Sequence, residues 1–404
     1  MIADLTDDRD ETHAPSLLAQ ITAKFQEKPF VPARFFTQGD MQTLAAYFWP
    51  GRFRPRDVTE DEERLFEVEP ATQVLARCRW QPDRTRHPTL VLWHGLEGSS
   101  ASAYMLTTAA KIFQRGFNVV RMNIRNCGGT EHLTPTLYHG GLTHDLRTVL
   151  AELIDRDRLP RIVIAGFSLG GNLTLKLAGE LGDEAPEQLK GVVAISPSVD
   201  LQASSDLLKQ PRNFVYHRNF LYFLKRRILL KQQKYPELYD SAALASISSL
   251  VQFDDHYVAP AFGFADARDY YAKASALPFL SRITVPTLII HAQDDPFIPY
   301  TPLEKAQAAR TRPLASVIPK VLGDFKIEER RGEVEIVRVW KDLIDPEIIA
   351  HAQPDGLYKG TLLVNVDSSV WLSEIVRYRR KEILDRLQHS FGRELIKRIS
   401  FRIG

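Results

Sequence analysis

Cysteine is scarce in this chain, since its 404 residues include two, Cys78 and Cys127. Two cysteines without a C-x-x-C spacing exclude a disulfide framework and a thiol redox motif, and they favour a reducing compartment. Long apolar runs are also missing, because no stretch approaches the ~20 apolar residues of a membrane-spanning helix. The N-terminal residues are acidic and polar, without the apolar core of a signal peptide. We therefore expect a cytoplasmic protein without an integral membrane segment.

The sequence lacks a phosphate-binding glycine loop and a His/Cys cluster with the spacing of metal ligands, so we predict no cofactor and no metal. The net charge of +2 is unevenly distributed. Residues 305–404 contain 19 Lys and Arg against 14 Asp and Glu, and residues 377–402 contain 9 against 3. This bias fits a solvated basic helix face or a surface for an anionic partner, of which nucleic acid is the most plausible.

Apolar runs alternate with helical stretches as far as residue 310. This alternation predicts a doubly wound, mostly parallel α/β sheet with buried strands. An antiparallel hairpin is expected before it, within residues 53–80. The predicted strands are Thr89–Trp93, Phe117–Met122, Ile162–Ala165, Gly191–Ile195 and Pro286–Ile290, and the predicted helices are Ala103–Arg115, Thr143–Asp155 and Gly171–Leu181.

The insertion between the last two of these strands is too long for one crossover. Its residues, about 200–280, predict a helical cap over the carboxyl ends of the strands, where such sheets bind ligands. A helical hairpin without a role in substrate binding is the alternative. After residue 310 the pattern changes, and a strand at Thr361–Asp367, a helix at Trp371–Gln388 and a last strand at Ile399–Ile403 predict a small α+β domain.

A G-x-S-x-G motif, Gly166-Phe167-Ser168-Leu169-Gly170, is the most informative stretch of the sequence. It lies between a predicted strand and a predicted helix, which is the context of a nucleophile elbow. The glycines are needed because side chains beside the serine do not fit so sharp a turn. The helix N-terminus presents N–H groups to developing negative charge. We predict that Ser168 is a nucleophile; a glycine-rich β–α turn without catalytic function is the alternative.

The loop His94-Gly95-Leu96-Glu97-Gly98-Ser99-Ser100 follows the first predicted parallel strand. In enzymes with a nucleophile elbow, a loop at this place contributes one oxyanion-hole N–H, and the residue after the nucleophile contributes the other. We predict the backbone N–H groups of Leu96 and Leu169. Removing one such donor costs on the order of 10²–10³ in turnover. His94 itself is either a hydrogen-bonded structural histidine or a member of the site.

The acid of a catalytic triad is expected after the next-to-last strand, where His291-Ala292-Gln293-Asp294-Asp295-Pro296-Phe297-Ile298-Pro299 is found. Asp295 has the D-x-x-I-P spacing typical of the acid loop, so we predict Asp295 in preference to Asp294. An Asp-Asp-Pro turn is also ordinary loop chemistry, which leaves a structural function open. In another tight loop, Cys127 is expected to be a small packing residue rather than a nucleophile.

Together these motifs resemble the YheT-like α/β-hydrolases, a family classed with carboxylesterases and related to animal lipid-hydrolysing enzymes. The resemblance covers about residues 20–305 and implies a Ser-Asp-His triad under a cap, acting on a small-molecule ester. Asn126 stands where the family usually has glycine, and asparagine tolerates left-handed backbone geometry. The motifs are His94–Ser100, Asn123–Gly129, Leu137–Gly140, Gly166–Asn172, Phe253–Asp255, Tyr270–Tyr271 and Asp294–Pro296.

The family's triad histidine lies in a Gly-Gly-His loop after one further strand, and this chain departs from that pattern. No histidine falls between His291 and His351. A serine without a general base is a poor nucleophile. His351 and His389 are the candidates to replace the missing histidine. The missing strand also leaves Pro286–Ile290 as an unpaired sheet edge, and we expect Thr361–Val366 or Ile399–Ile403 to cover it.

Residues from about 313 to 404 resemble a different family, the DciA-like domain of bacterial proteins that bind DNA and help to load the replicative helicase. We therefore expect a hydrolase domain at 1–308 and a small basic domain at 309–404. Two functions follow: a serine ester hydrolase with retained or impaired activity, or an inactive hydrolase scaffold with a nucleic-acid-binding module. The resemblance rests on Val339–Ile344, Ala350–Pro354, Gly360–Val364, Ser368–Trp371 and Ile399–Arg402.

Overall fold

The computed structural model describes residues 32, 36–48, 61–309, 340, 343–358, 360–392 and 396–403. These residues contain a seven-stranded sheet, in the order β1-β2-β4-β3-β5-β6-β7, and a three-stranded sheet, in the order β10-β9-β8. The strands are β1 Glu62–Glu69, β2 Thr72–Arg79, β3 Thr89–Trp93, β4 Asn118–Met122, β5 Ile162–Phe167, β6 Leu189–Ile195, β7 Thr287–Ile290, β8 Ala352–Tyr358, β9 Thr361–Val366 and β10 Arg398–Ile403.

The larger sheet is mostly parallel, as the sequence predicts. Strand β3 lies between β4 and β5 and is parallel to both, and β6 and β7 continue the parallel set. Strands β1 and β2 form the expected antiparallel hairpin, and β2 joins it to β4 in antiparallel register. Because β3, β5, β6 and β7 all run in the same direction, the loops after them meet at one edge of the sheet.

The helices fall largely where the periodicity predicts them. The helix after β5 is almost entirely buried and packs against β5 and β6. No helix among the described residues is long and apolar enough to cross a bilayer. The helices are α1 Gly39–Phe48, α2 Ala103–Phe113, α3 Thr143–Asp155, α4 Leu169–Leu181, α5 Leu201–Leu208, α6 Phe214–Lys234, α7 Leu250–Phe253, α8 Ala259–Ala261, α9 Ala267–Ala274, α10 Thr301–Ala309, α11 Pro346–Ile349, α12 Ser369–Glu374 and α13 Arg380–Phe391.

The long insertion between β6 and β7 forms α5 to α9, so its helical character is confirmed. Asp200, Ser249 and Asp266 precede three of these helices, and each side chain accepts a hydrogen bond from a backbone N–H in the first turn. Such N-caps fix where a helix begins, because they pair N–H groups that have no partner within the helix. A π-helical turn, Asp254–Val258, connects α7 to α8.

The expectation that Pro286–Ile290 is a buried strand is wrong in its burial. β7 is an edge strand of the described sheet, and Leu288, Ile289 and Ile290 are 45%, 36% and 44% exposed. An apolar sequence predicts burial only if a second strand or a helix covers it. Within the described residues β7 pairs with β6 alone, so one side of its backbone has no neighbouring strand.

The smaller sheet belongs to an α+β unit with its own apolar cluster, which includes Trp340, Leu362 and Ile399. β9 pairs with β10 in parallel and with β8 in antiparallel register. The expectation that β9 or β10 completes the larger sheet beside β7 is therefore wrong, because both are paired in the smaller sheet.

Strand β8 is missing from the sequence-based assignment. Pro354, Asp355 and Gly356 are unfavourable in strands, and the register with β9 shifts between Pro354 and Gly356. A regular alternation of apolar and polar residues is therefore absent from its middle. Residues 310–339 lie outside the described part of the chain, so the predicted boundary near residue 308 stays a prediction.

Candidate active site

Ser168 lies in the sharp turn between β5 and α4, with φ 51° and ψ −114°. Positive φ is costly for a residue with a side chain and marks a strained turn held by its surroundings. The Ser168 N–H donates to the Ile195 carbonyl at 2.9 Å. A Cβ on Gly166 would lie 2.1 Å from the Gly170 carbonyl oxygen, and one on Gly170 would lie 2.5 Å from the His94 carbonyl oxygen. The backbone therefore has the geometry of a nucleophile elbow.

The two predicted oxyanion donors flank this serine. The Leu169 N–H is at the first residue of α4, where the helix supplies no acceptor. The neighbours of Leu96 are fixed, because the Gly95 N–H donates to the Tyr104 hydroxyl and the Glu97 N–H donates to the Tyr138 hydroxyl. No hydrogen bond within the described residues involves the Leu96 N–H. Both N–H groups are thus available to an oxygen next to Ser168.

An ion pair connects the loop His94–Ser100, the candidate oxyanion loop, to the cap, and no pattern in the sequence predicts it. The Arg227 guanidinium on α6 donates to both carboxylate oxygens of Glu97, at 2.9 and 2.6 Å. The Tyr138 hydroxyl donates to the same carboxylate at 2.7 Å. All three side chains are largely buried, so the charges are paired away from water and hold the loop against the cap.

A largely apolar cavity of about 110 Å³ opens beside Ser168. Residues of the oxyanion loop, the elbow and the cap share its wall, which supports the expectation that the cap covers the carboxyl ends of the strands. Its apolar lining includes Leu96, Leu137, Leu169, Leu201, Leu208, Phe220, Leu224, Leu250, Phe253, Val258, Phe297 and Ile298. A cavity of this composition favours a hydrophobic ligand with few polar groups.

Asp295 follows β7 and holds its own loop. One carboxylate oxygen accepts hydrogen bonds from the Ile298 and Phe297 N–H groups at 2.9 and 3.2 Å. Burial raises the pKa of Asp295, and these backbone donors oppose the increase. Asp294 is exposed at the same turn, against Gly39 of α1. Asp295 is thus half-buried and hydrogen-bonded, whereas Asp294 is exposed, and neither residue lines the Ser168 cavity.

His94 is fully buried and both of its ring nitrogens are occupied. Nδ1 lies 2.7 Å from the Gly95 carbonyl oxygen, and Nε2 accepts the Ile124 N–H at 3.0 Å. Burial lowers the pKa of His94 to about 4. These contacts favour the structural interpretation of His94.

His351 and His389 both belong to the smaller unit. His351 Nδ1 is 2.7 Å from the Asp367 carboxylate, and its ring stacks on Trp371 with centroids 4.3 Å apart. His389 lies near the end of α13. Neither histidine is on the wall of the Ser168 cavity.

His139 is the histidine that the structure does place on the cavity wall. Its Nδ1 accepts the Gly141 N–H at 3.2 Å, and its ring meets Phe262, Phe264 and Tyr270 edge-on. Burial lowers the pKa of His139 to about 3, so the ring is neutral and a weak base at neutral pH. His139 lies in the Leu137–Gly140 motif, but no function is predicted for it from the sequence.

Two further residues bear on earlier expectations. Cys127 is fully buried, and burial raises the pKa of its thiol to about 12, which supports a packing function. Asn126 has φ 64° and donates from its side chain to the Thr136 carbonyl oxygen at 2.9 Å. Asn126 therefore adopts the left-handed backbone conformation at a position where the family usually has glycine. No group of three or more metal-ligating side chains occurs in the described ranges.

Comparison with known proteins identifies two families. A family model described as the alpha/beta hydrolase fold matches residues 88–323, more than half of the chain. A second model, described as Dna[CI] antecedent, DciA, matches residues 313–401.

Among curated sequences, YheT of Escherichia coli strain K12 is 32% identical over 311 residues, which cover 76% of this chain and 87% of YheT. Human phospholipase ABHD3 is 29% identical over 231 residues, covering 56% of this chain and 55% of that protein. Monoacylglycerol lipase of Saccharomyces cerevisiae is 28% identical over 220 residues, covering 52% and 48%. This chain thus spans about half the length of the two lipases that it matches.

Proposed function

The chain belongs to the α/β-hydrolase family, and from this premise we propose that it is a serine hydrolase that cleaves carboxylic esters with Ser168 as the nucleophile. The observation that carries the proposal is the strained Ser168 turn on the wall of an apolar cavity. Leu96 and Leu169, whose N–H groups are the proposed oxyanion donors, line the same cavity. An ester carbonyl bound there has the nucleophile on its carbon and the donors on its oxygen. Relatives named as a phospholipase and a monoacylglycerol lipase support a hydrophobic ester.

In the proposed reaction, Ser168 Oγ attacks the ester carbonyl carbon and its proton passes to a base. The oxyanion is stabilised by the N–H groups of Leu96 and Leu169. Collapse of this intermediate breaks the carbon–oxygen bond of the ester and releases the alcohol, which takes up the proton. Water then attacks the acyl-serine by the same route, releasing the carboxylic acid and restoring Ser168.

The general base is the least effective group in the proposed mechanism. His139 shares the cavity with Ser168, but its lowered pKa makes proton transfer inefficient at neutral pH. In subtilisin, loss of the triad histidine costs about 10⁶ in kcat. We therefore expect acylation of Ser168 to be detectable and turnover to be slow.

Labelling with a fluorophosphonate tests the nucleophile directly. The purified protein is treated with the probe beside Ser168→Ala and Ser198→Ala, because Ser198 is a second serine on the same cavity wall. We expect labelling of the wild type and of Ser198→Ala, and none of Ser168→Ala. Absence of labelling in a folded wild-type protein would overturn the proposal.

Turnover of a p-nitrophenyl ester locates the base. Replacing His139 by Gln removes the cavity histidine, while His351→Gln removes the histidine paired with Asp367. We expect a loss of turnover with His139→Gln and none with His351→Gln. The opposite result would assign the base to His351.

A second function is favoured by the surface of the smaller unit. Arg377, Tyr378, Arg380 and Lys381 are exposed on consecutive turns of one helical segment, and Tyr378 is 69% exposed. Arg379 and Arg386, by contrast, are paired with Asp345 and Glu382. None of Arg377, Arg380 and Lys381 forms an ion pair with another described residue. An aromatic ring among such cations suits a nucleic acid, since cations meet phosphates and the ring stacks on a base.

Fluorescence anisotropy with labelled DNA tests this second function on the full chain. We expect binding that weakens more than about tenfold between 50 and 200 mM salt, as several phosphate contacts require. Arg377→Gln combined with Arg380→Gln should weaken binding and flatten its salt dependence. Arg386→Gln serves as the control, because this arginine is already paired. Binding that does not change with salt concentration, or equal affinity in all variants, would reject a DNA-binding surface at this segment.

A further inference from the structure

Three polar side chains from different elements of the cap meet at the cavity that contains Ser168. Ser205 is on α5, Asp254 begins the π-helical turn after α7, and Tyr271 is on α9. All three line the cavity. The Tyr271 hydroxyl donates to one carboxylate oxygen of Asp254 at 2.5 Å. The neighbouring wall is apolar, with Leu201, Phe253 and Val258 among its residues, so this cluster is set in a hydrophobic surface.

Ser205 has no evident structural use for its hydroxyl. The residue is 5% exposed, and its Oγ forms no hydrogen bond of ordinary geometry with any described residue. Burial raises the pKa of Tyr271, and a contact with the Ser205 hydroxyl, outside ordinary hydrogen-bond geometry, opposes this increase. A buried hydroxyl without a partner is unfavourable, because it has lost its hydrogen bonds to water. A ligand that pairs it would remove that cost.

Ser204 shows what a structural serine looks like at the same place. It precedes Ser205 on α5 and lines the same cavity, but its Oγ donates to the Asp200 carbonyl oxygen at 2.9 Å. That bond to the preceding turn of its own helix satisfies the hydroxyl. The difference between these adjacent serines makes Ser205 the one available to a ligand.

The donor and acceptor pattern of the cluster selects the ligand group. Asp254 uses one oxygen for Tyr271, which leaves its other oxygen as an acceptor, and Ser205 both donates and accepts. An alcoholic hydroxyl matches this pair, because it donates to the carboxylate and accepts from the serine. A quaternary ammonium has no hydrogen-bonding atom for Ser205. Burial also raises the pKa of Asp254 to about 7, which weakens its negative charge near neutral pH. The cluster therefore fits a neutral hydroxyl better than a cation.

We propose that Ser205, Asp254 and Tyr271 form a subsite that binds a hydroxyl group of the ester substrate, away from the bond that is cleaved. The inference rests on the proposed function, because it takes Ser168 as the place of the ester carbonyl. It names the substrate class as a hydrophobic ester with a free hydroxyl. That hydroxyl is carried either by the acyl chain or by the alcohol part.

Binding to Ser168→Ala tests the subsite without requiring turnover. Isothermal titration compares methyl octanoate with methyl hydroxyoctanoates that carry the hydroxyl at successive carbons, and with monooctanoylglycerol. An octanoate ester with a trimethylammonium group represents the cationic alternative. We expect at least one hydroxylated ester to bind about fivefold or more tightly than methyl octanoate, which is the worth of one net hydrogen bond. Preference for a hydroxyoctanoate or for the glycerol ester decides which part carries the hydroxyl.

The same titrations on double variants identify the residues. Adding Ser205→Ala should reduce the preference for hydroxylated over plain esters to about unity. Tyr271→Phe, which removes the hydrogen bond to Asp254, provides a second variant if the first folds poorly. Adding Ser204→Ala should leave the preference in place. Equal binding of plain and hydroxylated esters, or tighter binding of the cationic ester, would overturn the subsite alone. If none of the esters binds, the proposed function fails and the subsite fails with it.

Discussion

Strands β3 and β7 have nearly the same sequence and opposite surroundings. β3 begins Thr-Leu-Val-Leu and β7 reads Thr-Leu-Ile-Ile, and both lead into loops of the candidate site. All five residues of β3 are buried between β4 and β5, whereas three of the four in β7 are exposed. Neighbouring strands, rather than the strand's own residues, thus decide burial.

The same contrast divides the candidate site. On the β3 and β5 side, the oxyanion loop and the elbow are held by buried hydrogen bonds and by the Glu97–Arg227 ion pair. On the β7 side, Asp295 bonds its own loop, and no described histidine of the cavity wall pairs with it. The side that contains Ser168 is therefore held in place, while no histidine within the described residues pairs with the candidate acid Asp295.

The largest loss of folding stability is expected from a substitution in the tightly packed turn after β5. Gly166→Ala would place a methyl group 2.1 Å from a backbone carbonyl oxygen that cannot move without breaking the elbow. We expect a loss of more than about 4 kcal/mol in the free energy of unfolding, or no folded protein. Gly191→Ala, on β6 beside β7, is the control, because its nearest contact would be 3.6 Å away. Urea denaturation of both variants measures their free energies of unfolding. Comparable losses in the two variants would contradict the contrast between the β5 turn and the β6–β7 side of the sheet.

Truncating one leucine in each strand tests the comparison directly. Leu92→Ala in β3 removes a fully buried side chain, for which we expect a loss of about 2–5 kcal/mol. Leu288→Ala in β7 removes a side chain that is 45% exposed, so we expect a loss below about 1 kcal/mol. The shift in denaturant midpoint of each variant, at an unchanged m-value, measures its loss of stability. A loss at Leu288 as large as that at Leu92 would mean that a partner covers β7 in solution.

The sequence predicts most of the larger sheet because strand and helix periods alternate clearly between Thr89 and Ile290. It also predicts the elbow, since Ser168 lies between a strand and a helix. It misses β8, where Pro354 and Gly356 interrupt the pattern. It predicts the unpaired edge of β7 from the missing strand, but not the exposure of the β7 side chains. It also does not predict the Glu97–Arg227 pair or the Ser205 cluster. These depend on contacts between residues far apart in the chain, and local patterns carry no information about them.

A smaller effect concerns the pH dependence of stability at the end of β7. Burial raises the pKa of Asp295, so the folded state holds this proton more tightly than the unfolded state. The unfolding free energy of the wild type should therefore fall as pH rises from the ordinary aspartate pKa of about 3.9 through the raised value. Asp295→Asn should remove that part of the decline, and Asp294→Asn, at an exposed position, should not. A steeper decline in Asp295→Asn would indicate a lowered pKa and hence a cationic partner of Asp295.

The smallest effect on stability, but a diagnostic one, is expected from a charge on the β7 edge. An uncharged apolar edge strand is a template for pairing with another chain, and lysine on such an edge opposes that pairing. The opposite edge of the sheet, β1, already carries Glu63, Arg64 and Glu67. Leu65, on β1, is 46% exposed, which is close to the 45% of Leu288, so Leu65→Lys is a matched control.

We expect the wild type to associate as its concentration rises and Leu288→Lys to associate less, with unfolding free energies within about 0.5 kcal/mol of each other. Leu65→Lys should associate like the wild type, because its edge is already charged. Sedimentation velocity over a range of concentrations measures all three. If the wild type remains monomeric, or if both lysine variants change association equally, the exposure of β7 has no consequence for assembly. Reduced association in Leu288→Lys alone would locate the reactive edge at β7.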